Sequence, residues 1–450
     1  MESTVTYTND KLSIYKMIAD HSPEIKLRLH TPAHQGIKGE SEYFDDRIYS
    51  YDLPFFIFNR ESFDSVEQEI SELYQTKRTF FLTGGATQGI LIACTILARK
   101  HKRIAIGQNI HLSVIHGFIL SGLEPFFIPS HSLIPTDAEI IQALETTAGE
   151  VTALFLTHPS YDGVTTDLKK ISQYCRHQNI EFIVDEAHGT HFPFLATENL
   201  SALNTECDLV VHSLHKFVGS LVQTALLHLP KTSTITEAEV LTAIALFETT
   251  SRSNLLLLSI EEAIRLAFGD ERKSLFQKTA DNCHQLRCLL DQWGSTLTYD
   301  SQVSDPFKFF LYSDRATGDE IGDLILERGI DYEYANQRGI LLIFSFQNTD
   351  NDFVYVTQVL AEIYQIIGAK EPRKVFDERL LVRTPIIRCS PRKAFFSQKE
   401  QLLLQQAKGR ISCISLKQIP PGVPILIPGE EITDWHLEKI QLDTLVEVIN

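Results

Sequence analysis

The segment VVHSLHKF, Val210 to Phe217, decides how the rest of the chain is read. A β-branched apolar run ends in a polar step and delivers one lysine, Lys216, flanked by His215 and Ser213. A buried strand hands a single amine to a site in this way. The earlier segment FIVDEAHGTHFPF, Phe182 to Phe194, delivers an acid, Asp185, in the same manner. Taken singly, Asp185 reads equally well as a helix N-cap and Lys216 as a surface lysine. Together, about thirty residues apart, they define a site with an amine at one end and a carboxylate at the other.

Working outward, the apolar run Thr79–Leu82 breaks at Gly84-Gly85 and opens into a helix from about Thr87. A glycine turn ahead of a helix exposes backbone N–H groups and the positive end of the dipole, which suits a phosphate. Many such turns bind nothing. His111 follows the next strand at the start of a helix that also holds His116, and Pro159 follows the strand Ala153–Thr157. Strands alternating with helices at this rhythm predict an α/β fold with a mostly parallel sheet and helices on both faces. Ligands of such sheets sit at the carboxyl ends of the strands. Gly84, His111, Pro159, Asp185 and Lys216 all fall there. Pyridoxal phosphate (PLP) needs this set: a lysine for its aldehyde, a carboxylate for its ring nitrogen and a turn for its phosphate. His188, three residues past Asp185, comes back toward the ring if the chain turns helically; it reads equally as a structural histidine.

The chain has 450 residues and a net charge of −17, from 41 basic and 58 acidic side chains. That balance argues against a nucleic-acid surface and fits a cationic small molecule, although acidity also serves plain solubility. Seven dispersed cysteines without a CxxC pair read as reduced thiols. The N-terminus carries no secretory pattern and no apolar run reaches membrane-spanning length, so a cytoplasmic protein without membrane contact is expected. No metal is expected, because HExxH and zinc-type Cys/His spacings are missing, and GGATQG has the wrong spacing for a dinucleotide turn.

Residues 11–22 and Ser62–Tyr74 predict amphipathic helices, and 235–293 is dominated by helical patterns. Two short strands, Phe307–Tyr312 and Gly339–Phe344, bracket the helix GDEIGDLILERG. The segment CSPRKAFFSQKE is expected to lead into a helix, and the proline-rich KQIPPGVPILIPGEEIT to form a rigid loop ahead of the last helix. The predicted layout is an N-terminal arm (1–60), a three-layer αβα cofactor-binding major domain (61–293), a small α+β domain (294–375) and a C-terminal domain (376–450).

In these stretches the sequence resembles the ornithine/lysine/arginine decarboxylases of the aspartate-aminotransferase fold (fold type I), in their short bacterial form without a receiver-like wing. The matching segments are HTPAHQG, RTFFLTGGATQG, HLSVIHGFILSG, THPSYDGVTTDL, VDEAHGTHFPF, DLVVHSLHK, ETTSRSN, SPRKAFF and PPGVPILIPGEEI. The resemblance implies a PLP-dependent decarboxylase of arginine, lysine or ornithine that makes a polyamine-pathway amine and CO2. It implies that Lys216 bonds the cofactor, Asp185 pairs with its ring nitrogen, His111 stacks on the ring and His188 lies near the ring or the departing carboxylate. Gly85, Ala86 and Thr87, with Ser213 and His215, would hold the phosphate. Two subunits complete each site in this family, which implies a homodimer or higher even oligomer in which Thr250, Ser251 and Ser253 reach the neighbour's phosphate. Glu333 is the candidate for the substrate's distal cation. The sequence departs from the family pattern at Ala33, Gln35, Ala86, Arg252 and Asn254. An aminotransferase or other lyase on the same cofactor, or a non-catalytic homologue, are the alternatives.

Overall fold

The structure is a computed structural model that describes residues 13–21, 63–195, 200–373, 382–417 and 423–450. The HTPAHQG loop, with Ala33 and Gln35, and most of the N-terminal arm lie outside the described residues. Seven strands form the main sheet: β1 (Arg78–Leu82), β2 (Arg103–Ile106), β3 (Glu124–Phe127), β4 (Ala153–Thr157), β5 (Glu181–Asp185), β6 (Leu209–Ser213) and β7 (Ala225–Leu229). Their order is β1-β7-β6-β5-β4-β2-β3. The pairs from β3 through β6 are parallel, whereas β7 runs antiparallel to both neighbours. The cause is the short link from β6 to β7, which has no room for the crossover a parallel return requires. That link carries Lys216.

Successive strand residues feed opposite layers. Phe80, Ile104, Phe155, Ile183, Val211 and Leu227 pack toward the helices Gly85–Leu97 and Leu112–Ser121. Phe81, Leu154, Phe182, Val184, Val210 and Leu226 pack the other way, toward the helices Asp64–Leu73, Leu168–Gln178 and Asn254–Phe268. Burial on both faces explains why these strands read as continuous apolar runs. The result is an α/β fold of three layers. Thr136, Thr236, Thr317 and Thr349 open their helices with reciprocal capping boxes.

A buried polar row crosses the sheet beneath the site. Glu186 accepts hydrogen bonds from Ser201 Oγ at 3.0 Å, from the Ala202 amide at 2.6 Å and from His212 Nε2 at 2.6 Å. The His212 and His228 rings then meet at 3.0 Å, and His228 Nδ1 lies 2.9 Å from Thr79 Oγ1. Glu186, His212, His228 and Thr79 are completely buried.

After the long helix Asp270–Leu290, four antiparallel strands build the smaller sheet: β8 (Thr298–Tyr299), β9 (Lys308–Tyr312), β10 (Tyr334–Ala335) and β11 (Gly339–Ile343). The helices Gly318–Leu326 and Asp350–Gly368 cover it through Ile321, Ile325, Leu360 and Ile363. The C-terminal region corrects two expectations. The helix Pro391–Phe396 leads into a strand, β12 (Lys399–Leu403), which pairs with β15 (Leu445–Ile449). The proline-rich stretch contributes a short strand, β14 (Pro424–Leu426), paired with β13 (Leu416–Lys417). A two-stranded ribbon has only edge strands, so Pro424 removes no bond from a second neighbour. Leu426, Ile432, Val446 and Val448 close a separate small core.

Candidate active site

Asp185 and Lys216 reach one cavity because β5 and β6 are adjacent and parallel, with Asp185 opposite Val211. The cavity, of about 290 Å³, lies at the carboxyl ends of the strands. Gly85, Ala86, Thr87, His111, Asp185, His188, Ser213, His215 and Lys216 all line it. Nine of the residues singled out in the sequence therefore converge.

Lys216 sits on the short helix Leu214–Phe217 directly after β6, and its exposed surface faces this cavity. Its Nζ lies 2.8 Å from His188 Nε2. Burial pulls the amine down to about 8; Asp185 and Glu333 oppose that shift and Lys308 adds to it. Burial also holds His188 well below the usual imidazole range, reinforced by Lys216 and Lys308. Asp185 is nearly buried and its Oδ1 accepts the Ala187 amide at 3.1 Å. Burial raises its carboxyl group, against the pull of His111 and Lys216. His111 caps the helix Leu112–Ser121, and its Nδ1 accepts the Ser113 amide at 3.2 Å. That bond assigns the proton of the neutral ring to Nε2. Burial lowers its basicity.

The glycine turn has a geometry that could hold an anion. Gly85 adopts φ +72°, and a Cβ there would meet nothing within 4 Å, so open space lies before the turn. The Gly84 amide is taken by Gln88 Oε1 at 2.9 Å and the Gly85 amide by Gln223 O at 2.9 Å. The next amides of the helix Gly85–Leu97 have no carbonyl of their own helix to bond, which is the geometry that holds phosphate. Ser213 Oγ and His215 Nδ1, 3.3 Å apart, line the same cavity. A planar cofactor with phosphate at one end and a basic ring nitrogen at the other fits these donors.

Ser251 and Ser253 do not line the cavity. Ser253 caps the helix Asn254–Phe268, and Thr250 and Ser251 are exposed. Glu333 does not line it either, but the Tyr161 hydroxyl, whose ring does, donates to its carboxylate. A second bond runs the other way, from the Tyr334 hydroxyl to Asp162. These two crossed contacts tie the loop after β4 to β10. The Tyr161 ring also packs on His188 with centroids 4.5 Å apart. Tyr161, Asp162, Asn109 and Val423 are lining residues that sequence reasoning missed. The THPSYDG segment is one of the matching stretches, but nothing local tells that its tyrosine turns inward.

Residues 13–317 match the major domain of the Orn/Lys/Arg decarboxylases, and residues 377–446 match their C-terminal domain. The chain belongs to that family. It is 28% identical to the arginine decarboxylase of Bacillus subtilis strain 168 over 456 residues, spanning 95% of this chain and 92% of the relative. The Bacillus anthracis arginine decarboxylase is 27% identical over 461 residues, with 95% of this chain and 92% of that one covered. The lysine decarboxylase of Francisella novicida superposes with a TM-score of 0.81 at 18% identity, over 97% of this chain and 81% of that one. A serine palmitoyltransferase of Sphingomonas wittichii superposes with a TM-score of 0.57 at 18% identity, over 70% of this chain and 78% of that one. The architecture is that of fold type I, and the family's enzymes decarboxylate basic amino acids. Among the described residues, no helix is long and apolar enough to cross a membrane.

Proposed function

We propose that this chain is a PLP-dependent decarboxylase of a basic amino acid, with arginine as the first candidate. The observation that carries the reading is the convergence of Lys216, Asp185 and the Gly85 cradle on one cavity. When bound, PLP supplies an aldehyde that captures the amino acid and a protonated ring that takes up the electron pair left by CO2. Lys216 is the residue that bonds the aldehyde, and an amine lowered to about 8 is neutral often enough near physiological pH to do so. Asp185 would hold the proton of the ring nitrogen, and its carboxylate, otherwise pushed toward the neutral form by burial, would be kept charged by that partner.

His111, which lines the cavity, would cover one face of the ring. His188, in contact with Lys216, accepts or returns a proton there. The amides of Ala86 and Thr87, with Ser213 and His215, would hold the phosphate, and Ala86 would leave that task to the backbone. Glu333, presented through Tyr161, reads the substrate's distal cation, and a guanidinium matches a carboxylate's two oxygens. Arginine takes precedence because several relatives similar over nearly their whole length bear that name. Lysine is the second reading, favoured by the superposed lysine decarboxylases. Thr250 and Ser251, which are exposed, and Ser253 belong, in this proposal, to the phosphate site of a second subunit in a cytoplasmic homodimer.

The test is a visible absorption spectrum of the protein with added PLP, taken on wild type and on Lys216→Ala. A band that borohydride bleaches, present only in wild type, is expected, followed by agmatine and CO2 from arginine. No band in either protein sinks the proposal and leaves the non-catalytic homologue. A keto acid in place of an amine points to the aminotransferase.

A further inference from the structure

Lys308, the first residue of β9 in the smaller sheet, is completely buried. Its Nζ donates to the Tyr161 carbonyl at 3.0 Å and to the Ser160 carbonyl at 3.5 Å, and stands 3.6 Å from Asp305 Oδ2. A lysine is rarely buried without a purpose for its charge. Here that charge goes to the main chain of a loop that lines the cavity.

The surroundings tie the same cluster to Lys216. Asp305 Oδ1 accepts His191 Nε2–H at 2.9 Å and the Phe307 amide at 3.0 Å. The His191 ring is held between Phe217, at 4.1 Å, and Phe307, at 4.9 Å. Phe217 is the residue after Lys216, and Lys308 Nζ sits 5.4 Å from its ring centroid. From the other side, the Ser304 and Asp305 amides both donate to the Gly163 carbonyl at 3.0 Å. Gly163 has φ +96°, and a Cβ there would come within 2.9 Å of Asp305 Cβ and 3.0 Å of Lys308 Cδ. Only glycine lets the loop lie this close to the pair.

We propose that Lys308 is a positioning residue of the active site, fixing the Tyr161 wall and the Lys216–Phe217 turn against each other from the smaller sheet. The proposal rests on the reading of Lys216 as the cofactor lysine. An uncharged side chain of the same length would fill the space equally well, so packing alone does not explain the lysine. Its charge has a consequence for the amine as well. The groups facing Lys216 are Asp185, Glu333, Lys308 and the histidines His111, His188 and His215; the two carboxylates stabilise the ammonium and Lys308 opposes it. Lys308 therefore helps keep the amine neutral.

The experiment uses full-length, cofactor-free protein: wild type, Lys308→Met, Lys308→Arg and the double variant Lys308→Met/Asp305→Asn. Two quantities are read by mass spectrometry: the pH of half-maximal acetylation of Lys216, and hydrogen exchange across residues 160–164. Lys308→Met is expected to raise the half-labelling pH by about half a unit or more. It is also expected to speed exchange of the Gly163 and Val164 amides about tenfold or more. Lys308→Arg, which keeps charge and donors, is expected to stay near wild type on both. The double variant removes both charges and leaves no lone carboxylate, so it decides the matter if the single variant does not fold. Unchanged labelling and exchange without Lys308, or an Arg variant that shifts as far as the Met variant, overturn the proposal. A normal wild-type band with PLP beside such a failure leaves the decarboxylase reading standing. No wild-type band beside intact Lys308 effects refutes that reading and keeps the positioning role.

Discussion

Replacing Glu186 with alanine tests the buried polar row and can be followed without any cofactor. Three donors lose their acceptor at once: the Ser201 hydroxyl, the Ala202 amide and the His212 ring. Each buried donor left alone costs about 1–3 kcal/mol. Ser201 can rotate to another acceptor, so the amide and the ring dominate, and the total comes to about 3–5 kcal/mol, as for other broken buried polar pairs. Glu186→Gln keeps the shape but sets an NH2 group against a donor, for about 2 kcal/mol. The assay is urea unfolding by far-UV circular dichroism. Combining Glu186→Leu with His212→Phe replaces both partners by apolar groups, and should cost at least about 1 kcal/mol less than the sum of the single changes. A Glu186→Ala protein within about 1 kcal/mol of wild type, or strictly additive pairs, would refute the view that the row is one connected unit.

Three further outcomes follow from the site. With the Lys216 amine at about 8, its neutral fraction rises about tenfold per pH unit below that value, so PLP capture should speed up about tenfold from pH 6 to 7 and level off above pH 9. A capture rate still climbing at pH 10 would show an ordinary lysine. Ala86→Ser adds a hydroxyl to the proposed phosphate cradle and should tighten PLP about tenfold in an equilibrium titration; unchanged affinity would show that the backbone amides already satisfy the anion. Glu333→Gln should raise the KM for arginine by about 30-fold or more while leaving the PLP band unchanged, and an unaltered KM would remove Glu333 from substrate recognition.

The strands that deliver Asp185 and Lys216 were legible because they are buried on both faces and end abruptly in polar residues. Gly84-Gly85 and His111 stood out for the same reason, as polar or glycine punctuation after an apolar run. Lys308 was not legible. It precedes FFLY as any lysine precedes a strand, and only its pairing with the Ser160 and Tyr161 carbonyls, far off in the chain, reveals its burial. β12 was expected as part of a helix because Lys399–Leu403 is too short for its alternation to speak, and its partner β15 is the last strand of the chain. The four prolines around Pro424 pointed to a loop, but two of the residues that follow, Leu426 and Ile427, are buried core. The residues expected to act across a subunit boundary, Ser251 and Ser253, form no site within one chain, so no single-chain geometry could raise or lower them.

The crossed contacts of Tyr161 with Glu333 and of Tyr334 with Asp162 divide the labour of this fold. The cavity residues Gly85, His111, Asp185 and Lys216 hang on the ends of the large sheet, while Glu333 directly precedes β10, a two-residue strand at the edge of another sheet. In the proposed reading, a change at Glu333 or Tyr334 alters which side chain is admitted and leaves Lys216 and Asp185 in place.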